Sequence, residues 1–312
     1  MINDTTHGLR QFLKHPGFTI VGVLALPTFV FLARVSFASE ILKPLAVVPF
    51  HRDDTLMLVE VRINDSAPFL FAVDTGASHT VLDPKFAKEL GLQVQEAPPT
   101  TGTGQGAVIK SHGPPLTMHL GAVAVEVPEP WVIDLSKAPL PAGVKGLIGA
   151  ELFKNFIVRI DQLQATLTIF APDAEPGSAG AASIPLFVEG DKLFLEATLE
   201  VPAGKTVTHR LRIDTGSGSS VNDEIVRTSA EVRESTLGGG LGDNFKSYSG
   251  VFTSVKIGPY LIEHVWGPGG PGPSIGMELL RRFVITFDAP HGRLYLEPTP
   301  ALSEPVPTPP PN

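Results

Sequence analysis

The chain has 312 residues, 43% of them hydrophobic, enough to bury a full core and long enough for two modest domains. Its net charge of −8, with no basic run, excludes a nucleic-acid-binding surface. Cysteine is absent, which excludes thiol nucleophiles, thiolate metal sites and disulfides, and the nine histidines fall at no metal-ligand spacing, so no metal and no cofactor are expected.

At the N-terminus, Arg10 and Lys14 precede an apolar stretch from Phe18 to Ala33, interrupted by Arg34. As a helix this stretch spans about 24 Å, short of the ~30 Å hydrocarbon core of a bilayer. Ser36-Phe37-Ala38 then sets small residues around a large one, as at a signal-peptidase site. Residues 1–38 therefore read as a cleaved secretory signal, with an uncleaved membrane anchor as the alternative. Either way the protein is expected to be exported, periplasmic or secreted, and to meet a membrane only if the segment stays uncleaved.

From Pro44 onward the pattern is strand-like, and high glycine and proline contents (31 and 30 residues) suit strands and turns better than helices. Val59, Val61 and Ile63 alternate with Glu60 and Arg62 after the uniformly apolar Leu56-Met57-Leu58. Phe69 to Val73 is a short strand running directly into Asp74. Asp83-Pro84 then opens a short helix ended by Gly91, with Asp as cap and Pro in the first position. A glycine-rich turn around Gly102, Gly104 and Gly106 follows, and it reads either as a solvent loop or as a flap over substrate. Residues 171–182 are small, polar and proline-broken, which marks a linker. In the second half, Asn222 to Arg227 stands where the short helix stood, with acidic residues in its first turn. Gly239 and Gly240 lie in a second glycine-rich turn, which likewise reads as a solvent loop or a flap over substrate. The end, 299–312, is proline-rich and expected to be disordered.

Asp-Thr-Gly occurs twice, each time at the end of an apolar strand: Asp74-Thr75-Gly76 after Phe71-Ala72-Val73, and Asp214-Thr215-Gly216 after Leu211-Arg212-Ile213. One such triplet is an ordinary turn. Here its surroundings repeat too. Gly146-Leu147-Ile148-Gly149 answers the first copy and Pro273-Ser274-Ile275-Gly276 the second. The register then holds at an offset of 127 from Ile148 to Phe170 and from Ile275 to Glu297. Such self-similarity implies an internal duplication.

With these motifs the chain resembles the retropepsin-like aspartic proteases, in the duplicated, two-lobed form of the pepsins, over about residues 44–298. The resemblance implies a mostly β, bilobal acid-protease fold: β-barrel-like lobes at 44–170 and 183–298, with a cleft between them. It implies that Asp74 and Asp214 are catalytic, that Thr75 and Thr215 cross-link the two loops, and that Gly76, Gly216, Gly149 and Gly276 shape them. Ala77 and Ser217 occupy the third position after each aspartate. A hydroxyl there can bond the carboxylate, so Ala77 points to a dyad less acid-shifted than usual and a mildly acidic to neutral pH optimum. Ser274 and Gly218 depart from the usual pattern, and Gly218 raises the prospect of a loosened second loop. The expected activity is endoproteolysis of a polypeptide substrate by a monomer, with a protease-like binding module of weak or no turnover as the alternative. His79 reads as solvent-facing. Trp131 and Trp266 read as core residues, or else as subsite walls.

Overall fold

The computed structural model describes residues 43–307 apart from 103, 177–179, 203, 230 and 239. The signal-like segment and Gly239 therefore lie outside the described residues. Strands dominate and form three sheets, as the mostly β expectation requires.

The first sheet belongs to both halves of the sequence. Its order is Ala46–Pro49, Thr166–Phe170, Ile157–Asp161, Phe283–Asp288, Arg293–Pro298, Ala182–Pro185. The two central strands pair antiparallel, with Val158 opposite Phe287, Arg159 opposite Thr286 and Ile160 opposite Ile285. Burial explains the position: all six residues of Phe283–Asp288 are buried, as are Ile157, Val158 and Ile160. A strand with both faces covered must read apolar almost continuously, and Phe-Val-Ile-Thr-Phe does.

Each half then builds its own sheet. In the first, Leu56–Ile63 sends Met57, Val59, Val61 and Ile63 into the main core while Glu60 and Arg62 stay exposed. Leu56 and Leu58 point the other way, into a second apolar cluster with Ala72, Val81 and Leu147. That explains the uniformly apolar start of the strand: both of its faces are covered there. In the second half, Lys192–Val201 and Lys205–Ile213 form the matching antiparallel pair.

One connection recurs in both halves. Phe69–Val73 runs parallel to Val144–Ile148, which in turn pairs antiparallel with Val81–Leu82. Lys205–Ile213 runs parallel to Ser274–Ile275, which pairs antiparallel with Val221–Asn222. A parallel neighbour carries each strand end, and its aspartate, to the middle of a sheet rather than to an edge. The helix Pro84–Glu89 follows the first loop, with the Asp83 side chain accepting from the Lys85 N–H. Its counterpart Glu224–Thr228 is a 3₁₀ turn capped by Asp223 in the same way.

Of the end expected to be disordered, the part from Thr299 to Val306 is instead tied down, while 308–312 lie outside the described residues. Thr299 bonds back to the Arg282 carbonyl through both its N–H and its hydroxyl, and Pro300–Ser303 form a 3₁₀ turn. The fully buried Arg282 guanidinium donates to the carbonyls of Ala301 and Pro305, and Val306 is buried. A buried cation needs acceptors, and residues 301–305 supply them as backbone. Composition alone hides this role.

Candidate active site

Both Asp-Thr-Gly loops leave their strands in the same manner. The Asp74 N–H donates to the Ile148 carbonyl and the Asp214 N–H to the Ile275 carbonyl, each at 3.0 Å. The threonines then tie loop to loop. Thr75 Oγ1 donates to the Ile213 carbonyl at 2.8 Å and accepts from the Thr215 N–H at 3.0 Å. Reciprocally, Thr215 Oγ1 donates to the Val73 carbonyl at 2.9 Å and accepts from the Thr75 N–H at 3.0 Å. Both threonines are essentially inaccessible to solvent. Four buried hydrogen bonds thus fix two chain segments that lie about 140 residues apart.

The carboxyl groups cross over within this frame. A Cβ placed on Gly76 would come within 2.7 Å of Asp214 Cγ, and one on Gly216 within 2.6 Å of Asp74 Cγ. Each carboxyl therefore lies against the turn glycine of the opposite loop, and any side chain there would displace it. Glycine beneath the loops is required on the same grounds. A Cβ on Gly149 would meet the His79 carbonyl at 2.4 Å, and one on Gly276 the Ser219 carbonyl at 2.4 Å.

Asp74 Oδ1 accepts the Gly76 N–H at 2.8 Å. Burial in the cleft floor, followed by the charge of Asp214, pushes the Asp74 pKa up from 3.8 to about 7, against the opposing pull of the Gly76 N–H, the Arg212 guanidinium and the Ala77 N–H. Asp214 is 8% exposed and its Oδ2 accepts from Arg212 Nη2 at 2.7 Å. Sequence reasoning missed Arg212. The signal was a charged residue amid Leu211-Arg212-Ile213, where the first copy has Phe71-Ala72-Val73. Since Leu211 and Ile213 are buried in the core, strand alternation turns Arg212 to the aspartate's side.

Three local expectations are revised. The Ser217 hydroxyl bonds Ser219 Oγ at 2.8 Å rather than the Asp214 carboxylate, where Arg212 stands instead. His79 is not solvent-facing: its ring stacks on Trp131 with centroids 4.3 Å apart, and its Nδ1 is buried. Trp131 lines the cleft, with Lys110 Nζ 3.8 Å from its ring centroid, whereas Trp266 lies away from the cleft beside Arg233. Gly218 faces the Thr55 hydroxyl, which a Cβ would approach to 2.7 Å. A close inter-half contact occupies the space that a larger residue would fill.

Above the aspartates lies a cleft of about 520 Å³. Its roof comes from both glycine-rich hairpins. Gly102 lines the cleft at the tip joining Gln95–Thr101 to Ala107–His112, and Gly240 lines it between Val232–Leu237 and Phe245–Ile257. The tips meet: the Gln105 N–H donates to the Asp243 carbonyl at 3.1 Å and the Asp243 N–H to the Gln105 carbonyl at 3.0 Å. A Cβ on Gly242 would lie 3.1 Å from Gly104 Cα, and Gly106 closes its turn at φ +86°. Among the described residues no group of three or more His, Asp or Glu is placed to hold a metal ion, and no helix is long and apolar enough to cross a membrane.

Comparison with solved structures bears on this arrangement. The crystal structure of an aspartic proteinase from Irpex lacteus superposes with a TM-score of 0.51 at 14% identity, covering 84% of this chain and 99% of that one. The fold is that of the aspartic proteinases. Independently of the coordinates, residues 59–152 match a family model described as aspartyl protease. That match spans the first aspartate loop and Gly149. No curated protein matches the chain in sequence. At 14% identity the aspartic-proteinase likeness carries architecture only, so chemistry must be argued from the dyad itself.

Proposed function

We propose that the protein is an exported aspartic endopeptidase in which Asp74 and Asp214 activate water against a peptide bond. One observation carries the reading: each carboxyl lies against the opposite loop's turn glycine, within a frame locked by reciprocal threonine bonds. Two carboxyls so close cannot both ionise readily, so they share a proton over the working range. The pair titrates as a unit. Its charge sits with Asp214, whose Oδ2 is paired with Arg212, and its proton with Asp74, raised to about 7. Asp214 then takes a proton from the attacking water while Asp74 donates to the carbonyl oxygen of the scissile bond. Collapse of the tetrahedral intermediate passes a proton to the leaving amine and returns the dyad to its starting state. The roof of paired hairpins holds an extended peptide over the floor and excludes solvent. The repeated motifs and the mirrored central sheet support descent from a duplicated half, and the N-terminal apolar segment supports export. N-terminal sequencing of the secreted protein tests the latter, with residue 39 expected first; a start at Met1 would identify an anchor.

Cleavage of an unfolded protein substrate between pH 4 and 7 tests the activity. Asp74→Asn and Asp214→Asn should each lower kcat/KM at least about a hundred-fold while the protein stays folded. Parent-level turnover in either variant would exclude the dyad mechanism. A folded parent that binds peptides but cleaves none would point to a binding module.

A further inference from the structure

The cleft floor is built twice, and strand register matches its positions residue by residue. In the first half Ala72 pairs with Leu58 on one side and Leu147 on the other, and Leu56 sits two residues before Leu58 on the same face. In the second half Arg212 pairs with Phe194 and Ser274, and Lys192 sits two residues before Phe194. Leu56, Ala72 and Leu147 line the cleft; so do Lys192, Arg212 and Ser274. The same three places are therefore apolar beside one aspartate and cationic or polar beside the other.

The cations are not consumed by their surroundings. Glu189 and Asp191 precede Lys192 in sequence, but Glu189 pairs with Arg210 and Asp191 with Lys154. No described carboxylate lies within salt-bridge distance of the Lys192 ammonium, and partial burial together with Arg212 lowers its pKa while Asp214 opposes that shift. Arg212 spends Nη2 on Asp214, yet its buried Nε has no acceptor. With one negative charge on the dyad, two cations leave this half of the cleft net positive. A partly buried ammonium with no carboxylate partner, beside a guanidinium with one buried N–H unbonded, is unfavourable unless a ligand supplies an anion there.

We propose that the substrate carries an acidic side chain, Asp or Glu, on the side of the scissile bond that faces Lys192 and Arg212, and an apolar one on the side that faces Leu56, Ala72 and Leu147. The proposal deepens the peptidase reading by naming its substrate class, and it rests on that reading for the scissile bond but not for the binding preference. The carboxylate bridges Lys192 Nζ and the free edge of the Arg212 guanidinium. The opposite residue packs on the apolar wall that ends at Trp131.

Matched peptides test it, each with Leu beside Glu, Gln or Lys at the central bond, in both orders. At pH about 6 a glutamate is ionised and the dyad still holds its proton. The parent should cleave one order of the Leu/Glu peptide at least about ten-fold faster than its Gln analogue, in kcat/KM. Lys192→Leu, which copies Leu56, should abolish that gap, and Lys192→Arg should keep it. Equal rates for Glu and Gln, or a gap that survives Lys192→Leu, would overturn the proposal. Binding of the same peptides to Asp74→Asn protein, with and without Lys192→Leu, separates the two readings. A Glu preference of similar size that depends on Lys192 sustains the acidic subsite even if the parent cleaves nothing. No preference in binding removes the subsite even if the parent is an active peptidase.

Discussion

Arg212 occupies a place where its first-half counterpart, Ala72, has no charge to offer. A guanidinium 2.7 Å from Asp214 Oδ2 favours negative charge on the dyad as a whole, and it is among the causes that hold Asp74 down against burial. Removing it in Arg212→Leu should raise the Asp74 pKa further. The alkaline limb of the pH–activity profile, set by loss of that proton near pH 7, should then move upward, while Arg212→Lys leaves it nearly in place. A fall in activity with the limb unmoved would mean that Arg212 only packs. Asp74 also makes a stability prediction with a definite sign. Its folded pKa of about 7 lies above the ordinary 3.8, so between those values the unfolded chain releases a proton that the folded chain keeps. Stability from this group is fully present below 3.8 and is lost as pH rises toward 7. Asp74→Asn removes the buried charge. Its melting temperature should exceed that of the parent at pH 7 to 8, with the difference vanishing below about pH 4. An equal offset at every pH would show that the carboxyl is not held protonated by the fold.

At the level of elements, the loop and the glycine segment beneath it behave as one unit. The Cβ of an alanine at 276 would stand 2.4 Å from the Ser219 carbonyl and 2.7 Å from that of Ser217, both backbone atoms of the aspartate loop. Neither can yield without moving Asp214. Gly276→Ala should therefore cost about 1–3 kcal/mol in denaturant unfolding and lower activity by more than the lost stability explains. A stable variant with parent-level activity would show the loop to be softer than this contact implies. Both glycines were legible from sequence because close backbone approach leaves one residue type possible. So were the aspartates and threonines, since each motif came with a repeating context. The hairpin tips were legible as glycine-rich turns, but their bridge at Gln105 and Asp243 was not, because a backbone pair leaves no mark on side-chain choice. Lys192 escaped for a different reason. A lone lysine opening a strand looks like a solvated end until the strand's partners show which face it takes. His79 was misjudged on the same ground: its burial comes from stacking on Trp131, some fifty residues downstream.

For the whole molecule, the central sheet makes the decisive constraint. Residues 158, 159 and 160 pair with 287, 286 and 285. At the offset of 127, Arg159 thus faces its own counterpart Thr286, while Val158 and Ile160 each face the counterpart of the other, as a local two-fold axis between Arg159 and Thr286 requires. Two separate chains of half this length could form the same contacts, and then either aspartate alone would serve in a symmetric pair. Here the halves differ where it matters: only one brings cations to the cleft floor. The threonine bonds join Thr75 to Thr215 within one chain, so a monomer should hold a complete site. Mixing purified Asp74→Asn and Asp214→Asn proteins at equal concentration decides between the arrangements. With the dyad intrachain, no mixture recovers activity, however long it is incubated, and the parent elutes at the mass of one chain. If the first lobe of one chain paired with the second lobe of another, mixing would restore one intact dyad in a share of the assemblies, and turnover would rise with protein concentration. Pairing of identical lobes between chains is a separate arrangement that the asymmetry argues against, because two second lobes face to face would bring two Lys192–Arg212 clusters together around an Asp214 pair with no apolar wall opposite; it would also leave Asp74→Asn active on its own.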